Sequence, residues 1–272
     1  MLHLLPRRLV ILSLQPLVAA LLVVGYAGPT HAVQLVTACG TTCTTACQLA
    51  NNLTCGGTVT YGVRLTNGVS LDLNGHTITC SNCGSGADAV LVDSASTGSY
   101  VTNNGTADAG QILGPWNSAV NCQSVANTLV ELIHVDGTYF YGILNCRSVS
   151  QNVVLNVAGY GIVNSALGDN DDIRNNLIKG AVKGISVAGS GAGGIVYNTL
   201  VAQTTNSIEA VSATNANLEI AFNTFFRGTL LINSPTYSHF YAGNQCDNSL
   251  TACTTCISTG KCQSYTAPWN GH

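Results

Sequence analysis

The stretch that decides the fold is YGIVNSALGDNDDIRNNLIKGAVKGISVAGSGAGGIVYNTL, residues 160–200. It contains one unit twice: Gly161-Ile162 recurs as Gly184-Ile185, and Ile173-Arg-Asn-Asn176 recurs as Ile195-Val-Tyr-Asn198. The dyad series extends to Ala119-Val120, Gly142-Ile143, Ser207-Ile208 and Thr229-Leu230, at separations of 19 to 23 residues. The second series takes in Val153-Val-Leu-Asn156 and Ile220-Ala-Phe-Asn223. Each unit holds short apolar strands between polar turns, with no helix-period segment long enough for a crossover. A self-similar period of this size is the mark of a solenoid, in which stacking coils bury together a core that no coil can bury alone. The expected fold is all-β, a right-handed single-stranded parallel β-helix. Ile143, Ile162, Ile185, Ile208 and Leu230 are expected to face inward, and stacked asparagine amides can bond along the axis. Asparagine also tolerates left-handed turns.

Only 8% of the 272 residues are charged, while 46% are hydrophobic. Solvation therefore falls to Thr, Ser, Asn and the 29 glycines. The formal net charge is -3. Two of the nine basic residues, Arg7 and Arg8, lie in the first segment, so no basic stripe exists for nucleic acid. Residues 1–32 read as a secretory signal: Arg7-Arg8, an apolar run from Leu9 to Val24, and small residues up to Thr30-His31-Ala32. Gln15 and Pro16 interrupt that run, which argues against a stable membrane span once the signal is cleaved. The expected location is outside the cell or in the periplasm.

All 12 cysteines follow residue 32, an even count that suits disulfides in an oxidising compartment. Pairing is not fixed by sequence, but Cys122 and Cys146 are 24 residues apart, about one coil, and are expected to bridge adjacent coils. Cys39, Cys43 and Cys47 have the spacing of one face of a short helix. Both open ends of a solenoid need covering. Residues 33–66 are read as a Cys-rich N-terminal cap, 67–245 as the β-helix, and 246–272, with Cys246, Cys253, Cys256 and Cys262, as a Cys-rich C-terminal cap.

The segment Ser70-Leu-Asp-Leu-Asn-Gly-His-Thr-Ile78, together with the Gly-Ile and Asn repeats, resembles secreted pectin-lyase-like proteins across about residues 60–245. The resemblance implies a ligand groove along the strand that carries the dyads. On that strand Glu209 is the ionisable outward residue, without the carboxylate cluster that the lyases and hydrolases of this family use. Asp172 and Glu219 are expected two coils apart on a second strand, with Arg174 beside them, the spacing a glycosidase acid/base pair would need. Just before the dyads come Ser118, Tyr141, Tyr160, Lys183, Asn206 and Gly228. Tyrosine faces suit sugar rings and a lysine suits a uronate carboxylate. Tyr141, Tyr160, Lys183 and Arg174 are therefore the candidate contacts for an extracellular polysaccharide, with Glu209, Asp172 and Glu219 as the catalytic candidates. No cofactor or metal site is implied; Gly168-Asp-Asn-Asp-Asp172 admits a calcium ion but lacks the EF-hand pattern. The competing expectation is a non-catalytic structural or surface protein.

Overall fold

The computed structural model describes residues 32–94, 98–104, 110–123, 128–168, 171–189, 193–213, 218–234, 239–247 and 251–265. The segment read as a secretory signal lies, apart from Ala32, outside them. The chain from Val33 onward forms a parallel β-solenoid of about eight turns.

Each turn lays strands on three faces. Face one carries Tyr61–Leu65, Asp88–Val92, Ser118–Asn121, Tyr141–Leu144 and the first part of Tyr160–Leu167. Face two runs through ten strands from Gln34–Val36 to His239–Ala242. Face three includes Thr77–Cys83, Gln111–Leu113, His134–Asp136, Val153–Leu155 and Leu177–Lys179. On face one the core column is Val63, Val90, Val120, Ile143, Ile162, Ile185, Ile208 and Ile232, paired coil to coil in parallel register. These side chains are buried because the short sheets pack their inner faces against one another around one axis.

The glycine of each dyad has its own steric reason. A Cβ on Gly142 would lie 2.4 Å from the Gly161 carbonyl oxygen and 2.6 Å from Val154, and one on Gly161 or Gly184 would meet the next coil in the same way. At Gly142, Gly161 and Gly184 both members of the dyad are buried, while the preceding Tyr141, Tyr160 and Lys183 are partly exposed.

Along the corner between faces two and three runs a continuous amide ladder. Asn152, Asn176, Asn198, Asn223 and Asn244 are each at most 2% exposed. Each Oδ1 from Asn176 onward accepts both the backbone N–H and the Nδ2 of the asparagine one coil before, at 2.9 to 3.1 Å. The ladder supplies donors and acceptors where a corner interrupts the strand bonds, so buried backbone groups stay satisfied.

Three expectations need correcting. Asn156 is not a rung: Val153–Leu155 pairs with Leu177–Lys179 on face three, so the true counterpart is Asn152. Left-handed geometry falls on the residue before each rung, Gln151, Asn175, Tyr197, Phe222 and Gly243, with φ between 55° and 59°. In the last dyad the core position belongs to Ile232, which pairs with Ile208; Leu230 pairs with Asn206 and is only half-buried, and Gly228 pairs with Gln203. The cause is a bulge: three residues step from Gln203 to Asn206 where two step from Gly228 to Leu230.

All twelve cysteines are paired: 39–55, 43–47, 80–83, 122–146, 246–253 and 256–262. Cys122 and Cys146 join adjacent coils, Cα atoms 5.0 Å apart. Cys39, Cys43 and Cys47 lie on strands and turns, not on a helix. The N-terminal Cys-rich segment contributes strands to the solenoid: Gln34–Val36 pairs with Cys47–Leu49, and Thr41–Cys43 with Tyr61–Leu65. At the other end the helix Thr251–Ser258 buries Cys253 and Cys256, tied to Cys246 and Cys262, and so joins the end of the apolar core. No helix among the described residues is long and apolar enough to cross a membrane.

Candidate functional site

Two columns flank the core column on face one, and within them Asp88, Ser118 and Asn206 are buried. The first runs Tyr61, Asp88, Ser118, Tyr141, Tyr160, Lys183, Asn206 and Leu230. The second runs Arg64, Leu91, Asn121, Leu144, Val163, Ser186, Glu209 and Asn233. Coils stacked about 4.8 Å apart bring these side chains into contact although some 20 residues separate them.

The structure brings Tyr141, Tyr160, Lys183 and Glu209 together, as one closed network. The Tyr141 and Tyr160 rings stack at 5.7 Å between centroids, and the Lys183 ammonium lies 5.0 Å from the Tyr160 ring centre. Lys183 Nζ donates to both oxygens of Glu209, at 2.9 and 2.8 Å, while Ser186 Oγ and Asn206 Nδ2 donate to the same carboxylate at 3.0 Å each. Partial burial alone would raise the Glu209 carboxyl. The hydrogen bonds and charge of Lys183, with Ser186 and Asn206, outweigh it and hold that carboxyl below the usual glutamate range. The hydrogen bond to Glu209 raises the Lys183 ammonium above its ordinary value.

This arrangement is a poor fit for acid catalysis. Glu209 is held ionised, whereas a general acid needs a carboxyl whose proton is retained near neutral pH. In the two columns the nearest other carboxylate is Asp88, five coils away, or roughly 24 Å at the stacking repeat. Asp88 itself accepts from Asn117 and Asn121.

The remaining candidates lie on face two. Asp172, Gly194 and Glu219 pair in sequence, so the two carboxylates stand two coils apart as the repeat implied. Arg174 lies 3.8 Å from Asp172, an exposed pair that contributes little to stability. In the segment considered for calcium, residues 169–170 lie outside the described residues. The Asp171 carboxylate is engaged by the Gly168 N–H and lies 3.5 Å from Arg147. No group of three or more His, Cys, Asp or Glu that could hold a metal occurs among the described residues.

A cleft of about 280 Å³ opens beside the tyrosine column. Ser81, Asn82 and Ser85 line it from one turn, Pro115 and Asn117 from the next, and Tyr139 and Phe140 from the one after. Tyr139 is 60% and Phe140 48% exposed, and their rings meet edge to face at 4.8 Å. Phe140 in turn lies 6.1 Å from Tyr141, so cleft and column are continuous. The sequence signal for this site was the run Thr138-Tyr-Phe-Tyr141, three adjacent aromatics in a chain only 6% aromatic. Its polar wall had no signal, because two other coils supply it. Asp172, Glu219 and Arg174 are not part of the lining.

No family model matches this sequence, and neither a curated protein nor a solved structure matches it.

The Lys183–Glu209 pair gives the fold a pH dependence with two signs. A lowered Glu209 value means stability present above the unfolded-state value of that carboxyl and lost as acid protonates it. A raised Lys183 value means stability lost only as alkali deprotonates the ammonium. In urea titrations from neutral to acid pH, Glu209→Gln is expected to remove roughly 1 kcal/mol of the acid-side loss. An unchanged acid limb in that variant would contradict the assignment.

Proposed function

We propose that this chain is a secreted, non-catalytic glycan-binding β-solenoid of the pectin-lyase-like kind, which holds an extracellular polysaccharide in the cleft beside Tyr139 and Phe140. One observation carries the reading: two exposed aromatic rings face hydroxyl and amide groups of Ser81, Asn82, Ser85 and Asn117 across a cleft. Sugars offer an apolar C–H face to an aromatic ring and hydroxyls to amides, and this lining complements both. The twelve paired cysteines accord with export into an oxidising compartment.

The stacked column has a different role. The facing sides of Tyr141 and Tyr160 cover one another, and Lys183 lies over Tyr160. Those residues brace successive coils.

The test is polysaccharide binding by calorimetry. Phe140→Ala and Tyr139→Ala are each expected to weaken binding about tenfold, while incubation with the same polymers releases no new chain ends. Binding that survives the loss of both rings refutes the cleft. Absence of binding to every polymer favours a purely structural surface protein.

A further inference from the structure

We infer that the cleft selects an uncharged glycan and excludes uronate polymers, with the Lys183–Glu209 pair acting as the element that withholds positive charge from the ligand path. This inference rests on the glycan-binding reading and narrows it.

The charge inventory of the site supports it. Of the residues that line the cleft, Ser81, Asn82, Ser85, Asn117, Tyr139 and Phe140 present polar or aromatic groups, and the rest are Cys83, Gly84, Gly86 and Pro115. None carries a charge at neutral pH. A polyuronate carries a carboxylate on every ring, and removing such a charge from water without a cation to meet it is costly. The first cation along the continuous aromatic path from the cleft is Lys183, beyond Phe140, Tyr141 and Tyr160. Its ammonium is already held by both oxygens of Glu209, whose remaining acceptor sites are taken by Ser186 and Asn206.

A ligand carboxylate reaching Lys183 would meet an ammonium whose charge Glu209 already balances and would stand beside that second anion. Arg64, at the far end of the second column, is likewise engaged, by Asp93 at 2.5 Å. The chain as a whole is net negative, so long-range attraction does not compensate. A neutral polymer meets none of these penalties, because it offers hydroxyls to the amides and C–H faces to Tyr139 and Phe140.

The experiment compares the intact protein with two neutral polymers, xylan and mixed-linkage glucan, and with polygalacturonate, by calorimetry at low and high salt. The expected result is binding to at least one neutral polymer and at least about tenfold weaker binding to polygalacturonate. Glu209→Gln, which frees the Lys183 ammonium, is expected to gain at least about tenfold in polygalacturonate binding at low salt and to lose that gain at high salt. Polygalacturonate bound as tightly as the neutral polymers by the wild-type protein overturns the inference and leaves glycan binding standing. Binding to neither class overturns both. If Glu209→Gln does not fold, the wild-type comparison still decides; if it folds and gains nothing, the role given to the ion pair is wrong.

Discussion

Replacing Asn198 by leucine is expected to lower the free energy of unfolding by about 4 kcal/mol, read from urea denaturation with an unchanged slope. Asn198 Oδ1 is the acceptor for both the backbone N–H and the side-chain amide of Asn176, and its Nδ2 donates to the carbonyls of Ile173 and Val196. Leucine fills the same space and satisfies none of them. Each buried polar group left unpaired costs about 1–3 kcal/mol, partly offset by the added apolar contact. The comparison variant is Asn156→Gly: the Asn156 side chain is exposed and donates to Asp136. Glycine accepts the left-handed backbone there, φ 50°, and the change should cost under about 1 kcal/mol. Equal costs at the two positions would show that the ladder has been assigned to the wrong asparagines.

Gly161→Val is expected to cost about as much, roughly 4 kcal/mol, or to prevent accumulation of folded protein. Its Cβ would stand 2.6 Å from Ile178 and 2.7 Å from the carbonyl oxygen of Gly184 on the next coil. That carbonyl cannot retreat without breaking the coil-to-coil register, and the Gly142 site below is equally filled, since its Cβ would meet the carbonyl of Gly161 itself. Alanine stands in the equivalent place at Ala89 and Ala119, so Gly161→Ala should cost less, about 1–2 kcal/mol. Gly84→Val serves as the contrast, because nothing lies within 4 Å of a Cβ there, and a change of about 0.5 kcal/mol or less is expected. Thermal melts that rank Gly84→Val with Gly161→Val would remove the steric explanation for the dyad glycine.

Much of the candidate site was open to reading in one dimension and much was not. Tyr141, Tyr160 and Lys183 follow one another at the coil period, and their stacking is what that period dictates. Whether their ring faces and charge are available to a ligand depends on side-chain reach. Lys183 is satisfied by Glu209, which stands three residues beyond its coil partner Asn206. Glu209, a catalytic candidate from its place on the dyad strand, is the partner that holds the Lys183 ammonium. Tyr139 and Phe140 were visible as letters, but nothing in the sequence said that Ser81, Asn82 and Asn117 would face them.

Residue order alone specifies the solenoid: its period, its inward Val and Ile column, its stacked amides and the two cysteine-rich ends. These follow from local patterns, because burial, strand alternation and amide hydrogen bonding repeat in every coil. Which asparagine forms a rung, which leucine leaves the core and where the cleft lies depend on how the coils stack. A single-residue bulge near Gln203 shifts the register by less than any spacing count detects. The cleft is assembled from turns of three different coils, and side-chain contacts between coils are set by three-dimensional stacking that the order of residues does not display.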